Sequence, residues 1–230
     1  MEPTIGKNCT IDKDVKFGVG VVVHDDSIIG SNVRVDDYAV IGKLPMRAAL
    51  SATTREETDL PPTEIGDGSI IGTHTILYRG SKIGKNVLVA DLATVREDVT
   101  VGDKTIVGRG VTIENHVQVG SSCKIQTNVH LVPHTVVEDN VFLSPGVITA
   151  NDTFMGRTKE RLTKYKGPTL KKGCRIGVGA ILGPGIVIGE DAQIGAGSVV
   201  LKDVPAKQLW IGAPAKYLRD VLSEQLLENQ

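Results

Sequence analysis

Residues 101–120 read VGDKTIVGRGVTIENHVQVG, and within them Val101, Val107, Ile113 and Val119 recur every six positions. An amphipathic helix repeats its apolar face every three or four residues, so a period of six is not helical. Six is even, which suits extended chain, yet plain alternation would put more apolar residues between these four. The period asks for a unit of one short strand and one sharp turn.

The same phase runs outward in both directions. It begins with Ile5, Ile11, Phe17, Val23, Ile29, Val35 and Ile41, and resumes unbroken from Ile65 through Ile71, Leu77, Ile83 and on to Leu143. After a second break it returns as Leu170, Ile176, Leu182, Ile188, Ile194 and Val200. Four places after many of these aliphatics stands a small or β-branched residue, as at Thr75, Ala93, Thr105, Val117 and Val129. Three six-residue units close a three-sided coil, and coils stacked ~4.8 Å apart pair their backbones. The aliphatic points inward from each flat side and the small residue fills the corner. The expected fold is all-β, a parallel β-helix of about nine coils, roughly 40 Å long. A β-sandwich of short alternating strands would not hold one phase over so long a run.

Two segments leave the period and must loop out of the prism: residues 43–64, KLPMRAALSATTREETDLPPTE, and 149–169, TANDTFMGRTKERLTKYKGPT. The second bunches Asn151, Asp152, Arg157, Lys159, Arg161 and Lys164, a set suited to a phosphorylated ligand. Residues 1–205 are thus expected to form the β-helix domain. Residues 206–230 are expected to form an extended segment, bracketed at its start by Pro205 and Pro214, and then a capping α-helix. Leu218, Val221, Leu222 and Leu226 carry the helical spacing.

Composition narrows the function classes. With 26 basic and 27 acidic residues the net charge is −1, so neither nucleic acid nor an anionic membrane is an expected partner. Aromatics make up only 3%, which leaves the core to Val, Ile, Leu and Ala. Cys9, Cys123 and Cys174 lack CxxC spacing and read as free thiols, with no metal site expected. The chain has neither a basic-then-apolar leader nor an apolar run near ~18 residues, so a cytoplasmic protein is expected.

On its repeats the sequence resembles the hexapeptide-repeat acyltransferases. The resemblance covers nearly the whole chain and implies left-handed winding, a homotrimer and active sites between neighbouring prisms. IGAGSVVLKDVPAKQLWIGAPAKYLR (194–219) is similar to the end of those enzymes that binds acetyl-coenzyme A as co-substrate. A thin pantetheine arm needs a groove with little side-chain bulk, and Val178 and Ala196, eighteen residues apart, stack into such a column. Lys202, Lys216 and Arg219 would then meet the nucleotide phosphates. VFLSPGVITANDTFMGR (141–157), VLVADLATVRED (87–98), TIVGRGVTIEN (105–115) and SATT (51–54) resemble one branch of the family. That branch N-acetylates nucleotide-linked amino sugars, particularly 3-amino-3,6-dideoxyhexoses on thymidine diphosphate.

In that branch an asparagine after "GP" or "SP" lies beside the acceptor amine, which implies this role for Asn151. Asp152, Arg157 and His130 are the accompanying substrate-binding candidates. The proton of the amine needs a destination, either a histidine base or the departing coenzyme thiolate. Eighteen-residue stacking puts His134 over His116 over Asp98 in one corner column, and His134 or His130 is the candidate base. His130 precedes the inward Leu131 and should point outward from a flat side. In another column Asp91 stands against Arg109 as an expected ion pair. The alternatives are a 4-amino sugar or other small acceptor, and a zinc carbonic anhydrase on the same prism. The latter needs three converging histidines, and only two stack here.

Overall fold

The computed structural model describes residues 2–47, 49, 51 and 60–230. Its short strands, nearly all of two residues, form three parallel sheets that are the flat faces of a left-handed prism. The first face has ten strands, the second nine and the third eleven, the last two of these being a hairpin. Successive strands visit the faces in rotation, so the second face marks nine full coils, as the repeat led us to expect. Left-handed winding runs against the usual preference for right-handed crossovers, which originates in strand twist. A two-residue strand accumulates almost no twist, and the preference loses its cause.

Register is constant along the prism. Thr112 pairs His130 and Ile113 pairs Leu131, and Ile148 follows on the next coil. The six-phase aliphatics Ile113, Leu131, Leu143, Ile176 and Leu182 are fully buried and share one continuous core. At nearly every corner the second turn residue takes positive φ. Asn86 (54°), Asp98 (54°), His116 (60°), Asn128 (58°) and His134 (63°) are examples. Asn, Asp and His are the non-glycine residues that tolerate this region best. The first turn residue is repeatedly an aspartate that ties its coil to the one before. Asp91, Asp103 and Asp139 accept the backbone N–H of Thr73, Lys85 and Ser121 at 2.9, 2.7 and 2.7 Å. Asp91 is used in this way and forms no ion pair with Arg109 among the described residues, which corrects that expectation.

The expected terminal α-helix is replaced by a β-hairpin, Gln208–Gly212 and Ala215–Asp220. The last coil leaves Gln193 and Ile194 with an open strand edge, and Leu209 and Trp210 pair with it in parallel. Covering an edge satisfies backbone groups that a helix would leave bare. Two 3-10 turns follow, Ser223–Gln225 and Leu227–Asn229, and Val221 and Leu226 tuck in as buried side chains. The helical spacing of Leu218 and Leu222 was therefore fortuitous, and both are exposed. Among the described residues no helix is long and apolar enough to cross a membrane.

Leu131→Ala removes a fully buried face-centre side chain. It should lower unfolding free energy by about 2–5 kcal/mol, whereas Gln118→Ala on the outer face should change it by less than about 0.5 kcal/mol. Urea denaturation checks both, and equal effects would contradict the inward assignment of the repeat.

Candidate functional site

The three corners of the coil run the length of the prism as three edges, and they are not equivalent. Both extruded loops leave the first face after Val40–Lys43 and Ile148–Thr149, and both enter the second face at Glu64 and Thr169. They therefore spring from the same edge. Between them, on that edge, stand the turns of Arg79, Glu97–Asp98, Asn115–His116 and Pro133–His134.

On this stretch the first turn residues Glu97, Asn115 and Pro133 are buried, although corners on the other edges carry exposed residues such as Asp91, Asp103 and Arg109. Glu97 is only 3% exposed and is held by Arg96 Nε and Nη2, each at 2.8 Å. Arg96 Nη1 also reaches Glu114 at 3.2 Å, and its guanidinium lies 5.2 Å from the centre of the Tyr78 ring. Burial raises the Tyr78 pKa, with Arg96 opposing. Arg79 fixes the root of the first loop by donating to Leu60 O at 3.0 Å, Asp25 O at 2.9 Å and Asp26 Oδ2 at 2.9 Å. Of the SATT segment only Ser51 lies among the described residues.

The expected histidine column is present on this edge. His116 Nδ1 is 3.5 Å from Asp98 Oδ2, and the His116 and His134 rings stack at 5.1 Å with 9° between their planes. Stacked rings aim their nitrogens along parallel directions about one coil spacing apart, which suits a ladder and not convergence on one zinc ion. Among the described residues no three His, Cys, Asp or Glu cluster in metal-binding geometry.

Asn151 joins the second loop to this column. Its side-chain amide donates to Pro133 O at 3.4 Å, and its own carbonyl accepts from Lys166 N at 3.2 Å, which closes the root of the loop. Asp152 is occupied by the loop itself. Its carboxylate accepts from Phe154 N at 2.9 Å, Gly156 N at 2.9 Å and Arg161 Nη1 at 2.9 Å. Desolvation works to raise the Asp152 pKa, and the N–H groups of Gly156 and Phe154 with Arg161 outweigh it, so the carboxyl titrates below its usual value. Arg161 is thereby committed to Asp152 and to the Tyr165 hydroxyl, and Lys164 meets Glu160. Arg157 remains exposed. Between this loop and the Pro184–Gly185 corner lies a cavity of about 520 Å³ lined by Phe154, Tyr165, Lys164 and Lys166. Two rings and two ammonium groups in one cleft suit a nucleoside phosphate.

Val178 and Ala196 occupy the edge between the third and first faces, both exposed. Directly beside them Gly146, Gly179 and Gly197 stack at positive φ, and a Cβ on any of the three would meet nothing within 4 Å. This is a bare groove three coils long. Lys216 pairs with Ile211 near the hairpin tip, and Gly212 N donates to Ser198 Oγ at 3.1 Å, so Lys216 lies close to the groove. Arg219 pairs with Leu209, farther back along the third face. Lys202 follows the last strand of the first face and therefore sits on the loop-bearing edge, apart from Ala196. His130 is half-buried and faces outward from the first face between Thr112 and Ile148.

The expected candidates thus fall on two edges. Asn151, Asp152, Arg157, His134 and Lys202 are on one, and Val178, Ala196 and Lys216 are on the other. Sequence reasoning passed over Tyr78, the Arg96–Glu97 pair, and Phe154 with Tyr165. The signal for Glu97 was its turn position in the column ahead of Asn115 and Pro133, eighteen residues apart.

Comparison with known proteins agrees with the repeat. The bacterial transferase hexapeptide family (six repeats) matches residues 80–115 and 167–202, and the hexapeptide repeat of succinyl-transferase matches residues 4–37. A serine acetyltransferase of Buchnera aphidicola subsp. Acyrthosiphon pisum is 38% identical over 71 residues, 31% of this chain and 26% of that protein. Its counterpart from Buchnera aphidicola subsp. Schizaphis graminum is 32% identical over 67 residues, 29% of this chain and 26% of that protein. The matched stretch is about a quarter of the length of these curated relatives. Among solved structures, a histidine-to-alanine mutant of GDP-perosamine N-acetyl transferase from Caulobacter crescentus, in complex with CoA and GDP-perosamine, is 28% identical. It has a TM-score of 0.51 over 58% of this chain and 57% of that one. The comparisons support a relationship to the hexapeptide-repeat acyltransferases.

Arg96→Met leaves the buried Glu97 carboxylate without its partner and should destabilise the fold by about 3–5 kcal/mol. The double variant Arg96→Met with Glu97→Gln should regain much of that loss in thermal unfolding. Equal losses in the single and double variants would show that the pair is not electrostatically coupled.

Proposed function

We propose that this chain is an N-acetyltransferase that moves the acetyl group of acetyl-coenzyme A onto the amino group of a nucleotide-linked 3-amino-3,6-dideoxyhexose, with thymidine diphosphate as carrier. The observation that carries the proposal is the sharing of one prism edge by both loops, Asn151 and the Asp98–His116–His134 column. A thioester acceptor reaction needs an oriented amine, a nearby proton acceptor and a slot for a thin donor. The groove beside Val178 and Ala196 supplies the slot. The motif resemblance supports the 3-amino sugar. The neighbour bound to GDP-perosamine supports a nucleotide-linked acceptor in general and keeps other amino sugars, including 4-amino ones, as the second reading.

In this reading the amine nitrogen attacks the thioester carbon, the carbon–sulfur bond breaks, and the coenzyme leaves as thiolate. The Asn151 amide oxygen orients the amine lone pair, and the proton passes to His134 or to the thiolate. The loop cavity with Phe154, Tyr165 and Lys166 takes the acceptor nucleotide, and the exposed Arg157 of the same loop is a further candidate contact. Asp152 acts by holding the loop, a positioning role in place of the direct contact expected from sequence.

Acceptor edge and donor groove lie on opposite sides of the first face, roughly 15 Å apart for a side of one six-residue unit. One copy cannot bring them together. The outward row of the first face, Val22, Val40, Ile76, Thr94, Thr112, His130, Ile148, Ile181 and Val199, carries no charged residue. That composition suits self-association, and a three-fold axis along the prism keeps heights equal. His134 of one copy then faces the Gly146 end of the next copy's groove, the second loop faces Val178 and Ala196 on the coils beyond, and Lys202 joins the neighbour's Lys216 around the donor phosphates.

Free thiol should appear when acetyl-coenzyme A is mixed with a thymidine-diphosphate-linked 3-amino-3,6-dideoxyhexose, and Asn151→Ala should lower turnover by roughly 10²-fold with the fold intact. Thiol release with no amino sugar tried would remove the transferase reading. Wild-type turnover in Asn151→Ala would reduce that asparagine to a turn residue.

A further inference from the structure

The edge between the second and third faces carries neither the acceptor groups nor the donor groove, yet it holds a half-open cavity of about 240 Å³. On its prism side the outward ladder of the third face runs Lys124, Phe142, Arg175, Gln193 in register. Its other wall is the C-terminal pair of turns, where Leu227 N donates to Asp191 Oδ1 at 3.1 Å.

The cations of this cavity are under-compensated. Lys124 forms no ion pair among the described residues. Arg175 forms no ion pair among the described residues, and its two Nη groups lie 2.7 and 2.9 Å from the Gln193 side-chain amide, which accepts from them when its oxygen is turned toward them. Burial pulls the Arg175 pKa down, with the Asp191 carboxylate opposing. Asp191 itself is buried and engaged by the Leu227 N–H. A desolvated guanidinium whose partner is a neutral amide favours an anion, and its planar fork matches a carboxylate. Among the lining side chains Lys124 and Arg175 stand against one carboxylate, Asp191, which favours an anion of low charge over a phosphate dianion. Phe142 and Leu227 supply an apolar and aromatic wall beside the charged end.

We propose that this cavity binds a small organic monocarboxylate, with its head group between Lys124 and Arg175 and its apolar body against Phe142 and Leu227. Because the C-terminal turns form one wall, an occupant ties them to the prism and stabilises the capped end.

Calorimetric titration with benzoate at fixed ionic strength tests this directly, with inorganic phosphate as the second arm. Saturable one-site benzoate binding is expected, weakened at least about tenfold in Arg175→Gln and several-fold in Lys124→Gln, whose side chain is exposed and dispensable for folding. Absence of saturable benzoate binding, or unchanged affinity in folded Lys124→Gln, would overturn the site. Phosphate binding tighter than benzoate would overturn the carboxylate assignment. The outcome is independent of the transferase reading, since no residue of the two functional edges takes part.

Discussion

Parallel backbone pairing between coils at constant register is the constraint from which the rest of the molecule follows. A strand of two residues is nothing alone, and it persists because its neighbours above and below satisfy its N–H and C=O groups. Thr94, Thr112 and His130 illustrate the result, one above another on the first face. Each coil must deliver its strands at the same height on all three faces, so extra residues can leave only at a corner. When they do, the register beyond them is restored, as the pairing of Val136 with Thr169 across the second loop shows.

That constraint gives edges a meaning that a globular fold would not. Side chains at equivalent corner positions line up, so chemistry can be assembled along an edge one coil at a time. On two edges the corner residues serve the coil itself, through aspartates that accept backbone N–H groups of the preceding turn. The loop-bearing edge keeps this pattern at Asp25, which accepts from Lys7 N, and between the loops gives way to a buried Arg96–Glu97 pair, a histidine stack and an asparagine reaching a neighbouring turn. Buried ion pairs are a poor way to gain stability, because desolvation offsets most of the attraction. The place of the Arg96–Glu97 pair on the edge between the loops is the reason for reading that edge functionally.

Much of this was legible in the sequence because a period converts directly into position. The coil number, the inward aliphatics, both loops and the His134–His116–Asp98 column all follow from counting in sixes and eighteens. What failed involved residues outside the period or competition at a single site. The terminal hairpin was missed because Leu218, Val221 and Leu222 mimic a helical stripe, and only the open edge at Ile194 decides the matter. The expected Asp91–Arg109 pair does not form because a backbone N–H of Thr73 claims the carboxylate first. Lys202 was grouped with Ala196 because they are six residues apart, and six residues is one edge around the coil.

The account stands on acceptor groups and donor groove lying on different edges and meeting only between copies. The most direct measurement pairs two variants, Asn151→Ala on the acceptor edge and Ala196→Trp in the donor groove, each assayed alone and after unfolding and refolding together. The account predicts that neither variant releases thiol appreciably by itself and that the mixture regains activity through sites built from one intact edge of each. A mixture as inactive as its components would contradict it.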